Sequence, residues 1–422
     1  MRVDKKRILN PDCNAWYVVP AIALSLFVFA YSTRLGQVSI LLFYSVWFGP
    51  LMFAPWLLLR RPWPVLALLG VSALFVASVI WSEAPSTTLR SSIQYGTTVA
   101  CALIAARMTS VPNLALGGSI GGLFIMIYSM INGGYSYDFI DGTYAFTGAF
   151  ASKNQLGYQA TLAIIFSLSL IGLFRAPRPV VIFAVITTVI SARLMFLSDS
   201  ATSLLTAGAA LATFFLARII VALAPMQRRA AVTLLVSGAL ATAITAYRAG
   251  AFDAVLAAFG KDATLTGRTY LWNQAIEIGG ARPILGLGYN AFWVAGRPDA
   301  ERLWDEFYIT GRTGFHFHNL LVQSFVDLGL LGLGAISAIC VLLLVLPMRA
   351  LVAARANGSV VLCAALALLF LLRSVSEVDF ITSYTAGTFL VSFVLLHLFD
   401  HLRVTRARNA VGGEHVTALP AY

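Results

Sequence analysis

The chain has 422 residues, of which 59% are hydrophobic and only 11% are charged, and its mean hydropathy is +0.83. Soluble domains carry about 25% charged residues, so this composition excludes a soluble globular protein. The apolar residues occur in blocks of roughly 20, which is the length of a membrane-spanning helix and too long for barrel strands. The sequence therefore predicts an all-α polytopic membrane protein.

Hydropathy predicts twelve spans. The first, 15–32, resembles the apolar part of a signal peptide, but it is longer and no small-residue cleavage motif follows, so we expect it to be retained. The others are predicted at 37–59, 64–81, 90–107, 112–131, 154–174, 178–197, 201–223, 229–248, 317–347, 358–376 and 380–400. The chain then divides into helices 1–9 (1–248), a long loop (249–316), helices 10–12 (317–400) and a tail (401–422).

The distribution of Lys and Arg predicts the orientation of these spans. With the N-terminus in the cytoplasm, most basic residues fall on cytoplasmic segments, and an even number of spans puts the C-terminus there as well. The net charge of +11 then follows from topology and requires no nucleic-acid partner. Most acidic residues and the long loop 249–316 fall on the outer side, where we expect any chemistry to take place.

A few basic residues remain on the outer side against this bias: Arg34, Arg90, Lys153, Arg193 and Arg373. Arg34 fits a side chain that snorkels at a helix end. Arg90 follows Pro85 and a run of Ser and Thr, which predicts the first turns of a helix, and Lys153 follows the candidate N-cap Ser152. Arg373 and Glu377 have the spacing of an i, i+4 ion pair, which is equally consistent with a purely structural role.

The long loop carries an amphipathic helix that begins near Arg268. Its apolar stripe consists of Leu271, Trp272, Ala275, Ile276 and Ile278. Such a helix is expected to lie on the outer membrane surface, with Arg268 at its N-terminus. The alternative for Arg268 is an arginine that faces solvent or lipid headgroups. The following GLGYN sequence lacks a preceding strand and a complete glycine pattern, so we interpret it as a turn.

Two histidines, His316 and His318, precede the tenth predicted span in the sequence GFHFHNLL. Imidazole accepts a proton near neutral pH, so a general base is one interpretation. A metal site is another, but it usually needs three or more ligands, and only Asp305 and Glu306 are conceivable additional ligands. The ordinary interpretation is a hydrogen-bonded helix start.

Seven motifs occur in an order that resembles the O-antigen polymerase and O-antigen ligase superfamily, with most similarity to its exopolysaccharide-polymerase branch. They cover about residues 75–395 and read WSEAPSTTLR, FASKNQLG, LSDSATSLL, TGRTYLW, GLGYNAFW, HFHNLLVQSFVDLGLLGL and LLRSVSEVDF. The resemblance implies a GT-C-like helical fold in the bacterial inner membrane. It also implies a periplasmic active site that moves a glycan from an undecaprenyl-diphosphate carrier to an acceptor hydroxyl, with no metal and no other cofactor.

The resemblance also implies roles for single residues. Arg268 of the GRT motif corresponds to a diphosphate-binding arginine, His318 of the HN motif corresponds to the catalytic histidine, and Arg90 and Lys153 match further basic positions. The residues expected to support them are His316, Asn319, Asn154, Arg373 and Glu377. The implied partners are an undecaprenyl-diphosphate-linked oligosaccharide, an acceptor glycan (a lipid-linked repeat unit or the lipid A core), membrane lipid and a polysaccharide chain-length regulator.

The residue types suit that reaction. A diphosphate leaves as a stable anion and needs cationic stabilisation, which the planar fork of an arginine such as Arg268 supplies bidentately. One base is enough to take the proton of the acceptor hydroxyl, and His318 is the candidate, with Asn319 expected to hydrogen-bond the imidazole or a sugar hydroxyl. Direct displacement by the acceptor inverts the anomeric centre.

Three other functions stay open from the sequence. An O-antigen ligase would use the same chemistry but transfer the glycan to the lipid A core. A secondary transporter would be expected to show internal repeats and interrupted helices, and the two halves of this sequence do not match each other. A flippase for lipid-linked oligosaccharides would use the same cationic outer surface but would have no need of a base such as His318.

Overall fold

A computed structural model describes residues 5–59, 62–138, 142–250 and 267–410 of the chain, and its regular structure is almost entirely helical. The helices are α1 (Lys5–Leu9), α2 (Ala15–Phe48), α3 (Trp56–Leu59), α4 (Pro62–Ala77), α5 (Pro85–Met108), α6 (Val111–Asn132), α7 (Lys153–Gly172), α8 (Arg178–Leu197), α9 (Ala201–Ala222), α10 (Pro225–Arg248), α11 (Arg268–Gly280), α12 (Pro298–Glu306), α13 (Leu320–Leu351), α14 (Gly358–Arg373) and α15 (Ala386–Ala410). The predicted fold class is confirmed.

Within the described ranges, nine helical segments are long and apolar enough to cross a membrane. They are Ala15–Met52, Trp63–Ile80, Val111–Asn132, Lys153–Gly172, Arg178–Leu197, Ala201–Ala222, Pro225–Arg248, Leu320–Leu351 and Ala386–Thr405. Two further helices coincide with predicted spans: α5 begins in a polar stretch, and α14 has only 16 residues. The total of twelve spans stays a prediction, as does the division into four regions, since parts of the long loop (251–266) and of the tail (411–422) lie outside the described residues.

The predicted break between the first two spans coincides with a kink in α2, which leaves helical geometry at Tyr31 and Gly36. The chain folds back there, so that Trp47 Nε1 in the second half donates a hydrogen bond to Ser25 Oγ in the first half at 2.8 Å. Gly36 has φ +70°, a conformation that glycine adopts without steric cost.

The predicted start of the last span is wrong. The span begins at Ala386 instead of residue 380, because the hydroxyl of Thr385 accepts the backbone N–H of Thr388 and caps the helix there.

Small residues let the central helices approach closely. Where α2 packs on α6, a Cβ added at Gly117 would lie 2.7 Å from the carbonyl oxygen of Val19, and where α6 packs on α7, one at Gly122 would lie 2.5 Å from the Cβ of Ala163. Packing between membrane helices depends on such close backbone contact, because lipid tails are as apolar as the side chains. These contacts join α2, α6 and α7 into the centre of the bundle.

The long loop is fixed to the bundle where α13 is interrupted. Gly329 has φ +60° and breaks the helix, and the loop docks at this break through hydrogen bonds from the Leu330 N–H to the Pro283 carbonyl (2.8 Å) and from the Gly288 N–H to the Asp327 carbonyl (2.8 Å). Backbone freed by a helix break at membrane depth has to be paired within the protein. The predicted turn at GLGYN is present and supplies one of these partners, Gly288, while Pro283 lies just before it.

The described part of the loop also has a small core of its own. Phe317 is fully buried there, and its ring lies 4.9 Å from the rings of Phe292 and Trp293. The side chains on either side of it, His316 and His318, stay partly exposed. Burial of this one aromatic ring therefore fixes the segment that carries both histidines.

Two short strands, β1 (Gly134–Asp138) and β2 (Thr143–Gly148), follow α6 and form an antiparallel hairpin that the sequence analysis did not predict. Lys153, the first residue of α7, donates a hydrogen bond from Nζ to Thr143 Oγ1 at 2.6 Å. The hairpin therefore lies beside the N-terminus of α7, at the same end of the bundle as the long loop.

Candidate active site

Four chain segments meet at the carboxylate of Glu377. Glu377 lies in the connection between α14 and α15, Arg268 is the first residue of α11, and Asn154 lies in the first turn of α7. His316 and His318 lie in the segment just before α13. Each of these residues is 59 or more positions from Glu377 in the chain, so tertiary structure alone brings them to the carboxylate.

Glu377 contacts all four of these side chains. Its Oε1 accepts a hydrogen bond from Asn154 Nδ2 at 3.1 Å and lies 3.5 Å from Arg268 Nη2, while its Oε2 lies 3.7 Å from both His316 Nε2 and His318 Nδ1. Burial on its own would raise the pKa of Glu377, but the adjacent His318 and the charge of Arg373 outweigh it and hold that pKa well below its usual range. The site therefore has a permanent negative charge at its centre.

His318 has an unusual backbone conformation. Its φ is +50°, which is uncommon for a residue other than glycine and is often found at functional sites. Its Nδ1 is buried without a hydrogen-bond partner and faces the Glu377 carboxylate. A carboxylate at that nitrogen favours the tautomer with the proton on Nδ1, which leaves the lone pair on Nε2 to accept a proton.

His316 is held as a neutral imidazole. Its Nδ1 accepts the backbone N–H of His318 at 3.1 Å. Burial, with the nearby charges of His318, Arg268 and Arg373, lowers the pKa of His316 to about 3, although Glu377 opposes this shift. Because Nδ1 is an acceptor, the neutral ring carries its proton on Nε2, the nitrogen that faces Glu377.

That tautomer bears on the metal interpretation. Ligand atoms of His316, His318 and Glu377 lie within 4.8 Å of one another, so Glu377 is the third group that the sequence did not reveal, in place of Asp305 or Glu306. However, a protonated Nε2 on His316 is a hydrogen-bond donor and not a ligand, and the Arg268 guanidinium lies on the other carboxylate oxygen. The arrangement fits a hydrogen-bonded ionic cluster better than a metal centre.

Arg268 reaches the cluster from the N-terminus of α11. Gly267 precedes it with φ +78°, and Nη2 of the guanidinium lies 3.5 Å from Glu377 Oε1. Its other nitrogens have no hydrogen-bond partner among the described residues, and the side chain is 14% exposed. Arg268 therefore keeps a donor edge for an anion beside His318.

The predicted apolar stripe of α11 is only partly right. Leu271 and Ala275 are buried, and Trp272 donates from Nε1 to the Phe317 carbonyl at 2.9 Å, but Ile276 is 54% exposed. The buried face packs on α13, where a Cβ at Gly279 would lie 2.8 Å from the ring of Phe325. The helix thus rests on the protein, and this packing fixes Arg268 relative to the histidines.

The predicted ion pair between Arg373 and Glu377 is wrong. Arg373 instead binds Asp379, with Nη2 to Oδ1 at 3.1 Å and Nε to Oδ2 at 2.5 Å, and its guanidinium lies 4.1 Å from the centre of the Tyr158 ring. Glu377 is thereby left to the histidines and Arg268. Arg373 Nη1 is buried and has no hydrogen-bond partner, so the pair still directs positive charge toward the cluster.

Asn154 is held in place by the motif around Ser200. Its Oδ1 accepts a hydrogen bond from Ser200 Oγ at 2.7 Å, and Ser200 also accepts the Ser203 N–H and caps α9. Ser152 caps α7 as predicted, by accepting the N–H of Gln155. The serine motif therefore orients the Asn154 amide toward Glu377.

The remaining predicted residues lie outside this cluster. Asn319 does not bond to an imidazole: its Oδ1 caps α13 at the N–H groups of Leu321 and Val322, and its Nδ2 donates to the Val375 carbonyl at 3.2 Å. It thus joins the histidine segment to the Glu377 segment. Arg90 lies in the second turn of α5, as predicted, but its side chain is exposed and makes no hydrogen bond to the cluster among the described residues.

Sequence reasoning missed two of these partners. Asp379 stands two residues beyond Glu377 in SEVDF, and the two acidic positions could have suggested separate roles. Thr143 had no signal, because its part depends on a hairpin whose strands are short and rich in tyrosine. Only the fold reveals that Thr143 meets Lys153.

Two comparisons with known proteins identify the family of the chain. The family described as O-antigen ligase matches residues 186–337, a range that holds Arg268, His316 and His318. The exopolysaccharide production protein ExoQ of Rhizobium meliloti (strain 1021) is 41% identical over 412 residues, which is 97% of this chain and 93% of that protein. The chain therefore belongs to the O-antigen ligase family, in the branch that includes this exopolysaccharide production protein.

Proposed function

We propose that the protein is an integral-membrane glycosyltransferase that joins glycan units on the periplasmic face of the bacterial inner membrane. The donor is a glycan on undecaprenyl diphosphate, and the acceptor is a sugar hydroxyl of a second lipid-linked repeat unit. One observation carries the proposal: the buried Glu377 carboxylate contacts both His318, a candidate base, and Arg268, a candidate anion ligand. A base and an anion site side by side are what transfer from a diphosphate requires.

His318 acts as the general base. The acceptor oxygen attacks the anomeric carbon, its proton passes to His318 Nε2, and the bond between that carbon and the diphosphate oxygen breaks. The electron pair leaves with undecaprenyl diphosphate, so the configuration at the anomeric carbon inverts. Glu377 keeps the proton of the neutral ring on Nδ1 and stabilises the imidazolium that forms.

Arg268 stabilises the departing diphosphate. The charge on the leaving oxygens grows as the glycosidic bond breaks, and a guanidinium that is already fixed in place by α11 stabilises this charge without reorganisation. Lys153 and Arg90 are proposed as further phosphate contacts. Lys153 begins α7 next to Asn154, which supports the proposal for it more strongly than the exposed position of Arg90 does.

The similarity to an exopolysaccharide production protein favours polymerisation over transfer to the lipid A core. A chain-length regulator is then an expected partner. A secondary transporter or a flippase would also bind charged substrates, but neither needs an imidazole whose free nitrogen is oriented by a buried acid. The pairing of His318 with Glu377 is therefore the feature that favours an enzyme.

Reconstitution in vesicles tests the proposal. A synthetic undecaprenyl-diphosphate oligosaccharide repeat unit is supplied as both donor and acceptor, and lipid-linked products are separated by length. We expect products of two and more repeats together with released undecaprenyl diphosphate. Transfer only to an added lipid A core acceptor would identify a ligase, and movement of the substrate between leaflets without any new bond would identify a flippase and refute the enzyme.

A further inference from the structure

We propose that the aromatic face of the β1–β2 hairpin is a glycan-binding surface that holds the sugar chain entering or leaving the active site. The face consists of Tyr135, Tyr137, Tyr144 and Phe146. The inference rests on the proposed function, because it names a subsite for the glycan that the enzyme elongates.

The strand register puts these four rings on one side. Tyr135 pairs with Phe146 and Tyr137 with Tyr144, and side chains of directly paired residues lie on the same face of a sheet. The rings of Tyr135 and Tyr144 stack with centroids 5.4 Å apart and planes at 18°. The opposite face carries Ala145, which is buried against the protein.

The rings are exposed to an extent that needs an explanation. Tyr135, Tyr137 and Tyr144 are 54%, 50% and 69% exposed. Contiguous exposed apolar surface of this kind is typical of an interaction site. Phe146 packs against the bundle and holds the edge of the cluster, with its ring 5.2 Å from that of Tyr135.

Hydrocarbon does not account for this exposure. Among the described residues the sheet has two strands only, so the outer edge of each strand has backbone groups that the sheet leaves unpaired. Open sheet edges do not occur in the lipid core, because unpaired N–H and C=O groups cost several kcal/mol each there. The hairpin therefore lies in water or among lipid headgroups. In that environment the C–H face of a sugar ring can pack on an aromatic ring, and a tyrosine hydroxyl can form a hydrogen bond with a sugar hydroxyl.

A short chain of hydrogen bonds connects this surface to the active site. Thr143, the neighbour of Tyr144, accepts from Lys153 Nζ, and the next residue, Asn154, donates to Glu377 Oε1. Lys153 and Asn154, in the first turn of α7, therefore lie between the aromatic face and the proposed base and diphosphate site. Because the aromatic face lies next to the active site, we infer that the ligand that binds it is the sugar chain of the reaction.

The test measures binding of a free sugar chain to the full-length protein in nanodiscs. The probe is the water-soluble repeat-unit oligosaccharide, without lipid or diphosphate, obtained by hydrolysis of the producing strain's exopolysaccharide. We expect Tyr135→Ala/Tyr144→Ala to weaken its binding at least about tenfold, as loss of aromatic anchors does. Tyr135→Phe/Tyr144→Phe keeps the rings and should stay within about threefold of wild type. Tyr247→Ala, which removes an 83% exposed tyrosine outside the sheet, should leave binding unchanged.

Polymer length gives a second readout and separates this inference from the proposed function. The double alanine variant should still form single glycosidic bonds with saturating donor but yield shorter products. Equal oligosaccharide binding in wild type and the double alanine variant, or no binding by wild type, would overturn the inference even if His318-dependent polymerisation is found. Ring-dependent binding in a protein that forms no glycosidic bond would uphold the surface and refute the transferase. If the double alanine variant no longer inserts into nanodiscs but still binds the sugar, the aromatic face is a membrane anchor and the inference is overturned.

Discussion

Nδ1 of His318 lies 3.7 Å from Oε2 of Glu377, in a protein where the two residues belong to different loops on either side of α13 and α14. The same carboxylate lies 3.5 Å from Arg268 through its other oxygen. One buried acid therefore sets the tautomer of the proposed base and the position of the proposed anion ligand. Changes at Glu377 should affect both functions, whereas changes at either partner should affect one.

Replacement of His318 by alanine should abolish polymerisation, because the neighbouring imidazole, His316, has a lowered pKa and faces Glu377, so it is a poor substitute base. A general base contributes roughly 10²–10⁴ in rate, so residual product should be at or below about 1%. Binding of the lipid-linked donor should stay within about threefold of wild type. Polymer formed in membranes gives the rate, and His401→Ala, at the opposite end of the bundle, is the matched histidine control. Full-length polymer from His318→Ala would exclude this residue as the base.

Arg268→Ala and Arg268→Lys should both impair use of the donor. Lysine keeps the charge but not the planar fork that binds two phosphate oxygens at once. Steady-state kinetics at varied donor concentration should show kcat/KM reduced at least about tenfold in both variants. Arg312→Ala, which removes an exposed arginine paired with Glu301 in the same loop, should behave like wild type. Full activity with lysine would contradict bidentate binding.

Glu377→Gln should lower kcat far more than it raises KM. Glutamine retains the size of the side chain but cannot hold the His318 tautomer by charge, and loss of the acid in comparable base–acid pairs costs up to about 10⁴ in kcat. Glu277→Gln, a substitution on the exposed side of α11, is the control. If the variant loses donor affinity while kcat is unchanged, Glu377 serves Arg268 alone and does not orient the base.

Stability should fall as the pH drops from 6.5 towards 4.5, because of His316. Its pKa is about 3 in the folded protein and 6.5 ordinarily, so the unfolded chain takes up the proton first and acid favours unfolding. The pKa of Glu377 is also lowered, but Glu377 makes stability depend on pH only below its ordinary pKa of 4.5. Thermal unfolding in detergent across this interval should therefore be less pH-dependent in His316→Gln. Equal slopes for variant and wild type would show that His316 protonates freely in the fold.

Gly329→Ala should destabilise the protein, since an added Cβ would lie 2.4 Å from the carbonyl carbon of Ile284 and the backbone has φ +60°. Backbone in this region costs a residue other than glycine about 1–3 kcal/mol before the clash is counted. A lower unfolding temperature and a lower yield are expected. Gly334→Ala, in the same helix with open space around it, should be neutral or slightly stabilising. Similar behaviour of the two variants would show that the loop does not dock at the break.

Composition and hydropathy predicted the fold class because lipid allows few alternatives for a chain with so little charge. The motifs also singled out His318, Arg268, Asn154 and Glu377 as candidates, and the structure brings their side chains together. The sequence could not reveal which pairs form: Glu377 has its i−4 neighbour Arg373 within reach, but Asp379 takes that arginine. The expected bond from Asn319 to an imidazole or a sugar hydroxyl was also not the one that forms within the protein, since Asn319 caps α13. Local spacing identifies candidates, whereas partner choice depends on contacts between distant segments.

Glu377 follows α13 and α14 in the chain, so the ribosome makes Arg268 and both histidines before it makes this acid. During synthesis, the arginine and both imidazoles enter the membrane without the acid that orders them. Any product that terminates early, before residue 377, lacks the group on which the cluster converges.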